Sequence, residues 1–575
     1  MRIFGQYWSD LELRKQDMDL VHSGIKRATH YRRPAERPFT AEERDKVTIL
    51  IGGLTPKHEE FIRAVFQGSG YRCERLPEPD YEAFLLGKEF GNNGQCSPVY
   101  FTGGSLIQYL RNLESEGMSR QEIVDRYLYF TAGSCGPCRF GMYAAEYRQA
   151  LKNAGYDGFR VIRFQQDDGI RQKAVSPGLK YTIDFGIGML KSVFLGDVLN
   201  DLTHNIRPYE VNPGETDRVM AECVSDLCEH LRSFKVPDLV EIVPGWASRQ
   251  LARRDFLRGL LSFLYKMHRY LKGEEFIQVL ERCRKRIDGI AVDRLRLKPT
   301  VKIIGEFWAQ TTESAGNYRM FRFLEREGAH IQPEAIGTWI LYLLAHAKMR
   351  MYPQRGMDAQ CIEPDRWDLK KRIANEINFQ KRKFFFSLGE YLYDRLYTHV
   401  IRALGETAHK LIPQEKLAQL ASPFYQPLAR GGEGYLEVAK NIYYHTNKLC
   451  HMVVSLKPFG CLPSSQSDGV QSAVTSKYKD MIYLPIETSG EGEVDAHSRV
   501  QMALGEAKIK AKAEFQEALS MTGRNLSEFR SFVSQHPELS RSLYRVPRHP
   551  GFAGVAANFV LHLNELMSGR RVFET

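Results

Sequence analysis

A chain of 575 residues with 43% hydrophobic and 26% charged side chains has the composition of a globular protein, with room for about four domain-sized units. Its 80 basic and 69 acidic residues give a formal charge of +11, a mild excess that permits an acidic or phosphate-bearing partner without demanding one. No nucleic-acid module is evident, and the longest apolar runs, such as Ile340 to Ala347, are far short of a membrane span. Neither nucleic acid nor membrane is therefore expected as a partner.

The opening MRIFGQYWSD lacks the long apolar stretch of a secretory leader, which points to a cytoplasmic protein. In that reducing setting the 10 cysteines are expected to be buried thiols or metal ligands, not disulfides. Residues 1–46 read as a polar, basic arm lying on the surface, in which Thr40 to Glu43 (TAEE) has the form of a capping box.

Residues 47–177 read as a first α/β lobe. Val47 to Ile51 is an apolar, β-branched strand, Gly52-Gly53 a tight turn, and Thr55-Pro56 opens a helix ending near Gly68 to Gly70. Tyr71 to Arg75 is the next strand, and this alternation predicts a parallel, doubly wound sheet. Gly91 to Val99 (GNNGQCSPV) is a turn cluster with Cys96 at the start of a helix that runs to about Glu114. Tyr127 to Thr131 is a buried strand followed by a glycine-rich turn carrying Cys135 and Cys138. Pro137 suits the first helical position, Gly155 a left-handed helix end, and Phe159 to Phe164 the following strand.

Residues 178–297 read as a helical insertion, broken at Asn212-Pro213-Gly214. Cys223, Cys228 and Cys283 fall within its helices and, like Cys73, are expected to be structural thiols. A second α/β lobe is expected over residues 298–495. Its strand Val301 to Ile304 ends at Gly305-Glu306, which places the Glu306 carboxylate at the carboxyl end of a parallel strand, where such sheets bind ligands. The alternative for Glu306 is a solvated loop acid. A helix over 316–327 follows, then helices over 340–425 with a polar loop containing Cys361, then the glycine-rich Ala429 to Tyr435 (ARGGEGY). Strand His451 to Leu456, turn Lys457 to Pro463 (KPFGCLP) and a further helix put Cys461 at another strand–turn–helix junction, with Met481 to Ile486 as the next strand. Residues 496–575 are expected to be C-terminal helices, with Glu506 to Glu514 as a solvated face.

Cys96, Cys135, Cys138 and Cys461 thus occupy similar turns, where backbone N–H groups and the positive helix end favour a thiolate or an anionic cluster. Four thiolates suit an iron–sulfur cluster or a closed zinc site, and the spacing leaves both open. Because Cys461 lies in the second lobe, such a site would sit in a cleft between the lobes.

The segments GNNGQCSPVYFTGGSLIQYL, AGSCGPCRFGMY and KPFGCLP, in this order, resemble the 2-hydroxyglutaryl-CoA dehydratase component D and activase-related proteins. KPTVKIIGEF followed by NYRMFRFLEREGA is similar to the family's second α/β unit. The resemblance covers roughly residues 45–500. It implies Rossmann-like lobes clasping an oxygen-sensitive iron–sulfur cluster, of the 4Fe-4S or double-cubane type. Cys96, Cys138 and Cys461 match the family's cysteines, and Cys135 is an additional thiol. A double-cubane cluster would need further thiolates, for which Cys361 and Cys450 are the candidates. The family implies radical dehydration of a 2-hydroxyacyl-CoA or reduction of a small substrate, with electrons from a separate ATP-hydrolysing iron–sulfur activator. Since family dehydratases work as two related subunits, a homo- or hetero-dimer is expected. A non-catalytic electron-transfer or scaffold protein, stabilised by a cluster or zinc, is the alternative. The chain has no Walker-type phosphate loop of its own.

Overall fold

The structure is a computed structural model that describes residues 36–133, 138–165, 178–233, 235–237, 242, 255–357, 364–365, 367–429 and 431–569. The described residues fall into two compact units, residues 340–394 forming one and the α/β lobes with their helical additions the other.

The first lobe holds β1 (Thr48–Ile51), α1 (Pro56–Gly68), β2 (Arg72–Arg75), α2 (Tyr81–Phe90), α3 (Ser97–Ser115), α4 (Arg120–Arg126), β3 (Tyr127–Gly133), α5 (Tyr143–Asn153) and β4 (Arg160–Gln165). Its strands form one parallel sheet in the order β2-β1-β3-β4. Successive strand residues point to opposite faces, so Ile49, Ile51 and Leu128 pack with Ile62, Val65 and Phe66 of α1. Leu50, Tyr129 and Val161 pack on the other face with Leu106 and Leu110 of α3 and Tyr147 of α5. A strand buried on both faces needs a continuous apolar run, which is what Ile49 to Ile51 supplies. Thr55 caps α1 by accepting the His58 N–H, and Gly155 takes the left-handed conformation at φ 91°. Thr40 and Glu43 form the expected capping box, here on a single 3₁₀ turn, and the adjoining Phe39 is buried in the core against α1.

The second lobe has the same topology. β5 (Thr300–Gly305), β6 (His330–Gln332), β7 (Met452–Pro458) and β8 (Tyr483–Thr488) form a parallel sheet in the order β6-β5-β7-β8. Val301, Ile303, Val454 and Leu456 face an apolar core shared with Phe321 and Leu324. On the opposite face the strands bury Lys302, Ser455 and Lys457. Lys302 pairs with Glu334 at 3.0 Å, Lys457 with Glu437 at 2.8 Å, and Ser455 donates to Glu437 at 2.7 Å. This lobe also contains α10 (Phe307–Thr311), α11 (Met320–Arg326), α14 (Gln414–Ala421), α15 (Leu436–Thr446) and α16 (Leu462–Lys477). Between α11 and α14 in the chain come α12 (Ile336–Met349) and α13 (Leu369–Ala403), which run through the smaller unit. The helix expected from residue 316 starts properly only at Met320, because Tyr318 and Arg319 adopt positive φ.

The insertion comprises α6 (Ile183–Ile206), α7 (Glu215–Ser233), α8 (Asp255–Lys272) and α9 (Glu274–Asp288), and α6 is the strut between lobes. Its Asp197 accepts from His58 Nε2 at 3.1 Å and from the N–H groups of Ile336 and Gly337 at 2.7 Å each. A Cβ at Gly196 would stand 2.3 Å from the His58 ring, so only glycine permits this approach. Two turns beyond, His204 bridges Glu325 at 2.8 Å and Glu313 at 3.0 Å. Cys223 and Cys283 face each other across α7 and α9, each Sγ lying 3.9 Å from the other's carbonyl oxygen.

The C-terminal helices are α17 (Glu493–Thr522), α18 (Leu526–Gln535) and α19 (Val555–Met567). The expected solvated face on α17 is interrupted at Glu514, which accepts from the N–H groups of Ala553 and Gly554. Among the described residues no helix is long and apolar enough to cross a membrane.

Candidate functional site

Both sheets direct the carboxyl ends of their strands at the same region, and the residues singled out at the helix starts meet there. Cys138 follows β3 and Cys461 follows β7, the corresponding strands of the two lobes. Cys96 is not at a strand end: the connection from β2 to β3 is built from three helices, and Cys96 is the N-cap residue of the longest, α3. Glu306 follows β5 and caps α10, its carboxylate accepting the Ala309 N–H at 3.0 Å.

The turns are joined directly. Ser97 N–H donates to Phe459 O at 3.2 Å and Ser97 Oγ donates to Thr488 O at 2.6 Å, fastening the start of α3 to the turn before Cys461. A Cβ on Gly460 would lie 3.5 Å from Cys96 Cα. The loop ahead of Cys96 is held by the buried Glu146 of α5, which accepts from Asn92 at 2.8 Å and Gln95 at 3.2 Å. Tyr143 OH lies 2.8 Å from Cys96 Sγ.

Glu433 was not among the expected site residues, although the ARGGEGY segment containing it stood out as glycine-rich. It lies just before α15, the helix leading into β7, much as Cys96 lies before α3 in the connection leading to β3. Its carboxylate accepts the Phe307 N–H at 2.5 Å, beside Glu306. The signal that could have found it is the turn chemistry: Gly431, Gly432 and Gly434 all have positive φ, and a Cβ on Gly432 would stand 2.8 Å from Pro463. These glycines let a buried acid approach the start of α16.

The electrostatics link all five groups. Burial pushes the Cys96 thiol up to about 11 and Cys138 up to about 12, and raises Cys461 as well. The Glu306 charge adds to the rise at each thiol, and that of Glu433 adds at Cys138 and Cys461. Burial raises both carboxyls, and the charge of Glu306 raises Glu433 further, so the pair favours holding a proton between them. Protonated thiols of this kind are poor nucleophiles. They ionise against a compensating cation, and the first turns of α3 and α16 then stabilise the thiolates. Cys96, Cys138 and Cys461 thus share one electrostatic environment with Glu306, and Cys138 and Cys461 share it with Glu433 as well.

Cys135 lies outside the described residues, as does Cys361. Cys450 precedes β7, whereas Cys461 follows it. A strand of this length separates the two by roughly 20 Å, so Cys450 is not part of the group. Among the described residues, no three His, Cys, Asp or Glu side chains are grouped so as to hold a single metal ion.

A narrow cleft shares α3 and α10 with the thiol group and lies at the point where the first sheet's strand order reverses, between β1 and β3. Gly52, Gly53, Glu59 and Thr102 line it from one lobe, Trp308 and Ser314 from the other. Burial pushes the Glu59 carboxyl up to about 8. No family model matches the chain, and no curated protein matches it.

Proposed function

We propose that the chain is a cytoplasmic iron–sulfur protein of the 2-hydroxyacyl-CoA dehydratase type. In this reading it receives low-potential electrons from a separate ATP-hydrolysing activator and uses them for radical dehydration or reduction of an acyl-CoA or small substrate. The observation that supports it is the gathering of Cys96, Cys138 and Cys461 with two carboxylates of raised pKa at helix starts of the two α/β lobes.

A bound cluster would supply a one-electron centre of low potential. Cys96, Cys138 and Cys461 would hold it, their backbone turns fixed by the Ser97 hydrogen bonds and by Glu146. Glu306 and Glu433 would manage the proton. A carboxyl of raised pKa keeps its proton near neutrality, donates it to a departing hydroxyl or reduced product, and is recharged through its partner. Packing of Phe101 against Trp308 across the lobes excludes water beside this pair. Dryness strengthens each of these interactions.

The test is iron and acid-labile sulfide per chain on protein prepared without oxygen, with absorption spectra. Cys96→Ser, Cys138→Ser and Cys461→Ser should each lose iron. Cys135→Ser should retain most of it, and Cys223→Ser all of it, at a stability cost of roughly 1–3 kcal/mol. Stoichiometric zinc without sulfide would replace this reading with a zinc-stabilised scaffold.

A further inference from the structure

In the helical insertion α7 and α9 run parallel. Cys223 faces Cys283 and Asp226 pairs with Arg286 at 2.9 Å, the partners 60 residues apart in both cases. Each helix buries one apolar stripe, with Met220, Cys223 and Leu227 on α7 and Leu280, Cys283 and Ile287 on α9. The cysteine is the smallest of the three on each side, and small side chains let two helices come close at that level. Both thiols are 0% exposed and reduced, and each Sγ lies 3.9 Å from the carbonyl oxygen of the other residue. The hydrogen bond they share favours charge on Cys223 and keeps Cys283 protonated, and the Arg286 guanidinium adds to the fall at Cys223.

We infer that Cys223 and Cys283 are a redox pair that closes to an intramolecular disulfide when a small anionic disulfide reaches it. Each sulfur already lies against the backbone of the facing helix, so the bond needs side-chain rotation and a slight approach of the helices. The Cys223 thiolate attacks one sulfur of the small disulfide, and the first small thiolate leaves and takes up a proton. Cys283 then gives up its proton and attacks the Cys223 sulfur of the mixed disulfide, expelling the second. Two electrons and two protons pass from the pair to the small disulfide, which becomes two thiols. The pair lies one side chain beneath the surface: Arg282 and Arg284, on either side of Cys283, are exposed, as is Glu222 beside Cys223. A local parting of α9 from α7 therefore admits the reagent. Arg282, Arg284 and Lys285 outnumber the nearby exposed acids Glu222 and Glu281, which favours an anionic one. Cys228, five residues from Cys223 and so about 140° away around the helix, has Glu60 and Arg63 of α1 as charged neighbours and takes no part.

The bond staples a helix fastened to the first lobe to the last helix before β5 of the second. Arg232 of α7 donates to Gln67 of α1 at 2.6 Å, and a Cβ on Gly68 would stand 2.8 Å from Leu231 O. Closing a loop of this length restricts the unfolded chain, so the oxidised form is the more stable one.

The full chain is incubated without denaturant in oxidised glutathione or in dithiothreitol, then alkylated, digested and analysed by mass spectrometry. Oxidation should yield a peptide linked through Cys223 and Cys283 and raise the unfolding temperature by several degrees, and dithiothreitol should reverse both. Cys283→Ser should hold glutathione on Cys223 as a stable mixed disulfide, Cys223→Ser should leave Cys283 unmodified, and Cys228→Ser should behave as wild type. None of these readouts needs a bound cluster. A wild type in which both cysteines stay open to alkylation overturns the proposal. So does a linked peptide that forms only after denaturation, or a link from either residue to another cysteine.

Discussion

Lys191 is the most exposing test of the packing described for the helical insertion. It lies on α6, is 1% exposed, and its Nζ has no hydrogen-bond partner among the described residues. The ammonium group sits 3.7 Å from the Phe276 ring centroid and 5.7 Å from that of Tyr270. Burial lowers its pKa from 10.5 to about 7. A drop of about 3.5 units at about 1.36 kcal/mol each amounts to roughly 5 kcal/mol, which attraction to the rings offsets by at most about 2 kcal/mol. The unfolded chain binds more protons than the folded one between the two pKa values, so stability rises with pH across that window. The penalty is fully present below about pH 7 and fades as pH approaches 10.5. Lys191→Met keeps the length and removes the charge. The variant should be more stable than wild type by about 3–5 kcal/mol at pH 6, and the gap should close to under about 1 kcal/mol by pH 10. The assay is thermal unfolding followed by circular dichroism across this range. A variant less stable at pH 6, or a gap that does not change with pH, would refute the buried, unpartnered lysine.

His204 should behave in the opposite sense. Burial opposes its charge, but Glu313 and Glu325 outweigh that and raise its pKa, so its contribution is full below about pH 6.5 and is lost as pH rises through the folded value. His204→Gln should cost about 3 kcal/mol, because it removes the direct cationic partner of Glu313 and leaves Glu325 with Arg207 alone, and melting curves should show the difference narrowing above neutrality. Gly305→Ala should cost about 2–5 kcal/mol and lower iron content, since φ is 128° and the new Cβ would lie 2.0 Å from Leu456 O. Unfolding temperature and iron analysis on the same sample check both effects.

Much of this architecture was legible along the chain. The apolar runs at β1, β3, β5 and β7, the cap at Thr55 and the helix-ending Gly155 depend on neighbours a few residues away, so local pattern predicts them. The thiols at helix starts were visible for the same reason. The place of Cys96 was read less well, because one helix start looks like another whether a strand or a helix precedes it.

What the residues could not announce was proximity. That Glu433 stands beside Glu306, that Ser97 reaches Thr488, and that Lys191 is enclosed by rings from α8 and α9 all follow from how distant segments pack. The local sequence around Glu433 is that of any glycine-rich loop, and around Lys191 that of any amphipathic helix. By itself the sequence determined which segments are strands and helices and which carry thiols. Only the tertiary structure decided which side chains share a buried space, because burial and Coulomb energies depend on distance in space and not along the chain.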